Sequence, residues 1–335
     1  MFSRYTEHLS GVGRSDIYLS RTDIVDPGPR SKQYYIIYKR SLWSFFLTSN
    51  ISFKPPSLLH HWFTMMLWRA LFVLLMFSLL AQGEVTSFGK CVQFFKDGVH
   101  PTILSDSTNN NRYQQICQCL LDNNNKPQYF YATLYDTQNK IPVYSAYELL
   151  HKDVDRKDYW YVEPQLDGGS NFCMGGLNQI PANNRGDHQA LNDDYEKSGY
   201  DKGHLYPVYH TSVEPAMKAT STLTNAAPQD PTFNRGQWKV HEMDLAELLG
   251  TSCTKNYVVT GVVPGNTNIN GRVTVAKYYW TAYCCVNNGM PTQSAGYVGP
   301  DNNGKVTAMT LSELEAKLSS AAYYGVKFSV FQGRC

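Results

Sequence analysis

All eight cysteines of this 335-residue chain lie from position 91 onward: Cys91, Cys117, Cys119, Cys173, Cys253, Cys284, Cys285 and Cys335. An even number of cysteines predicts up to four disulfides and an oxidising compartment, but about a hundred pairings exist, so spacing leaves the connectivity open. The neighbours Cys284 and Cys285 carry one firm consequence. They cannot bond to each other without strain, so each must reach a different segment, and the stretch that holds them is clamped twice. Structural zinc does not fit the spacing, since the chain has a C-x-C and a C-C but no C-x2-C pair.

A segment ahead of the cysteines agrees. Met66 to Gly83, "MLWRALFVLLMFSLLAQG", has an arginine near its start, an uncharged stretch of 12 residues from Ala70 to Ala81, and a small-residue ending. That is the form of a secretory signal cut before Glu84. A spanning helix needs about 20 apolar residues, so the stretch is too short to anchor the chain. Residues 1–65 precede it and read as an upstream extension or disordered tail. The mature chain would then be one domain over 84–335, secreted and without a transmembrane segment. From Glu84 on, 21 Lys and Arg face 24 Asp and Glu, so any contact with a polyanion must rest on a local basic groove.

Along that domain, residues 84–125 read as an N-terminal subregion tied down by Cys91, Cys117 and Cys119. "PQYFYATLYD" and "IPVYSAYELL" read as two strands joined by the turn "TQNK". A long Gly-, Asn- and Asp-rich loop follows, of a length that is usually functional or tethered. "TSTLTNAAPQ" reads as a short strand entering a loop. "FNRGQWKVHEMDLAELLG" reads as a helix with Asn234 as N-cap and Gly250 closing it. "NYVVTGVVPG" and "VTVAKYYWTAYCCV" are β-branched and aromatic strands, and "TLSELEAKLSS" is an amphipathic helix with Ser312 as N-cap. Strands and helices do not alternate as βαβ, so the fold class is α+β, mainly antiparallel, with flanking helices and disulfides.

The stretch "SGYDKGHLYP", Ser198 to Pro207, places Asp201, Lys202 and Gly203 directly before His204 in a Tyr-rich region. A lone loop histidine is most simply a hydrogen-bonded structural residue. Here the D-K-G-H stretch is followed, in order, by "LTNAAPQDPTFNRGQWKVHE". These motifs resemble the DNA/RNA non-specific endonuclease family, whose signatures are D-R-G-H and N-x-x-P-Q…N-x-G-x-W-x-x-x-E. The stretches "YATLYD", "IPVYSAY" and "EPQL" are similar to its secreted vertebrate endonuclease domain-containing 1 branch. The resemblance covers most of residues 90–335 and implies a ββα-metal nuclease fold.

It also implies roles. His204 would be the general base, a task that suits imidazole because its ordinary pKa of about 6.5 leaves a proton-accepting form near neutrality. Asn234 would be the direct protein ligand of Mg²⁺, with Mn²⁺ an alternative ion. Magnesium keeps several waters and needs few protein oxygens. Glu242, eight residues on and roughly 80° around a straight helix at about 100° per residue, would hold a metal-bound water. Lys202 and Asn225 would position substrate, with Gly203 letting the backbone pass close to it. Tyr206 and Arg235 are further candidates for contact, and Trp238 packs beneath the helix. The structural alternatives are an N-cap for Asn234, a solvated position for Glu242 and a turn for Asn225.

One position departs from the family. Lys202 stands where its arginine stands, keeping the charge and losing the planar fork that grips phosphate by two bonds. The expected activity is a secreted Mg²⁺-dependent endonuclease that reads the backbone phosphates of DNA and RNA, with little sequence preference. The rival is a nuclease-like protein that binds nucleic acid without cutting it.

Overall fold

The computed structural model describes residues 65, 66, 68, 69, 85, 87–102, 112–152 and 159–335. The chain divides into two units, Met1–Leu71 and Phe72–Cys335, and the fold is that of the second. The expectations for residues 1–83 fall almost wholly outside the described residues. Among the described residues no helix is long and apolar enough to cross a membrane.

The frame is a seven-stranded antiparallel sheet. Its strands are β1 (Tyr113–Leu121), β2 (Pro127–Asp136), β3 (Ile141–Tyr147), β6 (Lys255–Ile269), β7 (Val273–Asn287), β8 (Met290–Pro300) and β9 (Thr307–Met309), side by side in that order. Two short strands, β4 (Asp201–His204) and β5 (Ala226–Gln229), pair separately as an antiparallel ribbon. Helices α1 (Glu214–Thr220), α2 (Lys239–Ser252) and α3 (Leu311–Ser319) flank the sheet elements in sequence. Since β3 and β6 are paired neighbours, the ribbon, α1 and α2 all lie in one long connection between them.

Alternation along the strands explains the layers, because successive side chains point to opposite faces. In β7, Trp280, Ala282 and Cys284 face a core shared with Leu314, Leu318 and Phe328. Tyr279, Tyr283 and Cys285 face the other way, into cores shared with Phe233, Trp238 and Leu245. Both faces are therefore covered. The hairpins follow from turn chemistry: Asn270-Gly271 and Asn288-Gly289 take positive φ at both residues (48° and 67°, 52° and 78°), which suits type I′ turns.

Several boundaries differ from the sequence reading. The segment taken as a tied-down subregion supplies β1, a full partner of β2. Thr310, not Ser312, caps α3: its Oγ1 accepts from Glu313 N, and Glu313 accepts from Thr310 N. Asn234 is not an N-cap either. Asp230 caps the turn Pro231–Phe233 by accepting from Thr232 N and Phe233 N, and Asn234 lies inside the helical stretch that continues from it. Gly250 does not close α2, which runs on to Ser252.

The four disulfides join Cys91 to Cys117, Cys119 to Cys173, Cys253 to Cys285 and Cys284 to Cys335. Cys284 and Cys285 do take different partners, tying β7 to the C-terminus on one face and to the end of α2 on the other. With a separation of 51 residues, the Cys284–Cys335 bond closes a long loop. Cys335→Ser together with Cys284→Ala should lower unfolding free energy by about 2–5 kcal/mol in urea titrations. Thiol titration of the denatured, unreduced parent should find no free cysteine.

Candidate active site

The ribbon sets the site. β4 and β5 pair with His204 opposite Ala226 and Asp201 opposite Gln229. Gly203 is held against β7: a Cβ there would collide with the Gln229 side chain and the Tyr279 hydroxyl. The glycine is thus required by packing inside the protein, and the sequence reading that it makes room for substrate is replaced. Tyr279 donates its hydroxyl to Ala227 O at 3.0 Å, fastening β5 to the same strand.

Asn225 fastens the other end. It is wholly buried. Its Nδ2 donates to Tyr206 O (3.0 Å) and Thr220 O (2.9 Å), and its Oδ1 accepts from Tyr206 N (3.0 Å) and Ser145 Oγ (2.8 Å). Ser145 in turn lies 2.9 Å from Thr133 Oγ1. An amide so engaged has no capacity left for phosphate or water. The structure therefore gives Asn225 the work of fixing the chain just after His204. Tyr206 is likewise interior, stacked on Tyr147 at 4.1 Å, and so unavailable for substrate contact.

Asp201 joins the ribbon to the helix. Its carboxylate accepts from Asn234 Nδ2 (2.9 Å), Arg235 Nε (2.8 Å) and Arg235 Nη2 (2.6 Å). Asn234 opens a π-helical turn, Asn234–Trp238, that leads into α2, with Gly236 at the kink (φ −109°, ψ −108°). Such turns are rare and concentrate at functional sites. The turn also changes the helical phase, so the straight-helix angle between Asn234 and Glu242 does not apply.

Trp160 stands beside His204, with ring centroids 4.9 Å apart. Lys202 Nζ lies over the same indole at 5.2 Å and over the Tyr195 ring at 5.6 Å. One aromatic side chain from the connection after β3 thus touches both residues of the D-K-G-H stretch that face it. Trp238 is buried, as expected, among Phe233, His241 and Tyr279.

Residues 110–323 match the family described as DNA/RNA non-specific endonuclease. The chain belongs to that family. It is similar to the endonuclease domain-containing 1 protein of Homo sapiens, 33% identical over 232 residues, covering 65% of this chain and 44% of that protein. It is also similar to mitochondrial endonuclease G of Homo sapiens, 40% identical over 75 residues, or 22% of this chain and 25% of that one. The solved EndoG/EndoGI complex matches 57% of this chain and 82% of its own at 21% identity, with a TM-score of 0.43. The chain spans less than half the length of the endonuclease domain-containing 1 relatives it matches.

For a member of this non-specific endonuclease family, the donors around the π turn suit a hard divalent cation. Asn234 spends its Nδ2 on Asp201, which turns its Oδ1 away without a hydrogen-bond partner among the described residues. Glu242 is half-buried, and burial pushes its carboxyl up to about 8. The Trp238 indole, which has no hydrogen-bond partner in good geometry among the described residues, and Lys239 act against that rise. A cation nearby would favour the ionised form. Amide and carboxylate oxygens are the donors that hard divalent cations take.

The backbone at Glu242 is held from beneath. His210 Nε2 donates to Glu242 O at 2.8 Å, which makes Nδ1 the acceptor from the Tyr147 hydroxyl at 3.1 Å. Tyr147 continues to Thr260 Oγ1 at 3.1 Å, inside the sheet. Sequence reading had no signal for His210, whose partners lie 63 and 32 residues away.

Burial lowers His210 to about 3, against the upward pull of the Glu242 carbonyl, and lowers His241 to about 4. The unfolded chain takes up these protons near pH 6.5, so the histidines' contribution to stability is full above about that pH and is lost as pH falls toward about 3. Their share of the urea midpoint should drop between about pH 7 and about pH 4, against a rise from the Glu242 and Asp301 carboxyls, which burial pushes up to about 8 and about 7. His210→Gln keeps a donor for Glu242 O and cannot protonate, so it should flatten the drop. Equal slopes in parent and variant would remove His210 from this account.

Proposed function

We propose that this protein is a secreted, Mg²⁺-dependent endonuclease that hydrolyses the phosphodiester bonds of DNA and RNA with little sequence specificity. The observation that carries the reading is the Asp201 clamp. It bonds the strand bearing His204 to Asn234 at the head of the helix bearing Glu242, so that the base and the cation donors of a phosphodiester hydrolase share one rigid unit. The four disulfides support the secreted location.

In this reading His204 accepts the proton of a water as that water's oxygen bonds to phosphorus and the ester P–O bond breaks. Trp160 fixes the imidazole plane. Lys202, held over Trp160 and Tyr195, adds positive charge beside the phosphate. Asn234 Oδ1, and Glu242 through a water, would hold Mg²⁺ or Mn²⁺, which supplies Lewis-acid stabilisation of the phosphoryl charge. Arg235, whose side chain is 73% exposed, is placed to exchange its bond to Asp201 for one to a substrate phosphate. Asn225 acts through position alone. Lys202 in place of the family arginine favours the rival reading, capture of nucleic acid without cleavage, which the same assay separates.

His204→Ala should bind oligonucleotide like the parent and cut it about 10²–10⁴-fold more slowly. Asn234→Ala should raise the Mg²⁺ concentration for half-maximal rate by about tenfold or more, and Glu242→Gln by less. Lys202→Arg should keep or raise the rate. Plasmid nicking by the purified secreted protein, with Mg²⁺ and then with EDTA, is the measurement. Equal cutting in EDTA would sink the metal role, and no cutting with Mg²⁺ or Mn²⁺ would leave the binding protein.

A further inference from the structure

Beside the turn that joins β2 to β3, and against the middle of β6, a cleft opens with a volume of about 240 Å³. Its floor is Pro142, Val143, Val262 and Pro264, and its walls are Tyr113, Tyr323 and Tyr324. Those tyrosines pack on the core face that carries Trp280 and α3, away from the ribbon. Three cations each lie over a ring here: Arg112 over Tyr113 at 4.9 Å, Lys277 over Tyr278 at 5.3 Å and Lys317 over Tyr323 at 5.6 Å. Tyr278 and Tyr323 are themselves stacked, 4.6 Å apart.

Two further observations point to a ligand. Lys277 and Lys317 are exposed, and neither forms an ion pair among the described residues. Arg112 spends Nε and Nη2 on Asp136, at 2.9 and 2.7 Å, which leaves Nη1 without a bond among the described residues at the wall of the cleft. Half-buried tyrosine faces, an apolar floor, a planar donor and unpaired lysines outside are the parts that hold single-stranded nucleic acid. The cleft is smaller than the roughly 300–1,000 Å³ of a drug-sized pocket, so it admits one ring system and keeps the phosphate outside.

We propose that this cleft is a second nucleic-acid subsite, which takes one unpaired nucleobase against Tyr113 and Tyr323 with its phosphate on Lys277 and Lys317. The proposal rests on the nuclease reading above and adds to it a preference for single strands, since a base locked in a duplex cannot enter. The domain as a whole carries more acid than base. A local pair of lysines without ion-pair partners among the described residues therefore adds strand attraction to that of Lys202 and Arg235 at the cutting site.

The test uses the secreted protein with His204→Ala, in EDTA, and reads fluorescence anisotropy of labelled oligothymidylate. Lys277→Ser with Lys317→Ser should weaken binding about tenfold or more and lower the salt slope by about two. Tyr323→Ala should weaken it by a similar factor through lost stacking. Both variants, made in the active parent, should cleave bis(p-nitrophenyl) phosphate, which has no nucleobase, at the parent rate. Competition by thymidine 5′-monophosphate in the Tyr323-bearing protein that is lost in Tyr323→Ala would put a free nucleotide in the cleft and support the subsite; competition undiminished in Tyr323→Ala would overturn it. Unchanged oligothymidylate affinity in both correctly folded variants overturns it. A parent that cuts nothing, with binding still lost in the variants, would fail the nuclease reading and leave the subsite standing.

Discussion

The buried amide of Asn225 is the interaction on which the site depends. It closes the loop between the two strands of the ribbon by bonding Tyr206 on both its N–H and its C=O, and reaches Thr220 and the Ser145 hydroxyl of β3. Beside it, Gln118 Nε2 donates to Thr224 Oγ1 at 2.9 Å, and Thr133 and Ser145 share a hydrogen bond. The face of β1, β2 and β3 under the ribbon is therefore a seam of polar side chains where an all-apolar face would let the loop slide. Each buried partner left unsatisfied costs about 1–3 kcal/mol. Asn225 makes four hydrogen bonds to three residues, so its loss would leave several such groups at once, directly behind His204. Direction is what the seam contributes, since apolar packing fixes contact but not register.

How much of this was legible in the sequence follows from the range of the forces. β2 and β7 were read nearly to the residue, because alternation and β-branched content are local, whereas β3 stops three residues earlier, at Tyr147, and β6 runs four further, to Ile269. The resemblance placed His204, Asn234 and Glu242 within one connection, since the order of motifs is also a local property. The caps were misread where two candidates compete within a few residues: Asp230 precedes a proline suited to a first helical turn, and that local geometry excludes Asn234. Trp160 and His210 were missed because what matters about them is contact across 44 and 32 residues of chain, for which neither periodicity nor spacing gives a sign. The role of Asn225 was misassigned for a related reason. A polar residue in a functional motif reads the same whether it faces substrate or its own fold, and only burial separates the two.

Lys202 illustrates a substitution answered elsewhere in the chain. An arginine grips by a rigid fork; a lysine is a point charge on a flexible stem, and ordering that stem costs about 1.5–2 kcal/mol. Two rings face its ammonium, Trp160 and Tyr195. Each such contact is worth about 0.5–1 kcal/mol when exposed and about 2 when desolvated. Two together offset the ordering cost, so the charge stays beside His204 without the fork. Trp160 touches the His204 ring as well, and a change at Trp160 would therefore disturb base and cation together.

The charge balance of the site follows from the same economy. Among the described residues no three His, Cys, Asp or Glu converge as a metal-binding group, and the one carboxylate at the clamp, Asp201, is neutralised by Arg235. On the proposed reading the cation is held directly by a neutral amide, with Glu242 acting through water. A neutral ligand leaves the ion's double charge undiminished for the phosphate, whereas a cage of carboxylates would cancel it before substrate arrived. That matters in a domain whose acids outnumber its bases from Glu84 on, because the overall field repels a polyanion and attraction must be local. The clamp has two structural consequences: Asp201 turns Asn234 so that its nitrogen faces the ribbon, and it pairs with Arg235. On the proposed reading a single carboxylate thus sets the orientation of the metal donor and keeps an exposed cation in reserve for phosphate.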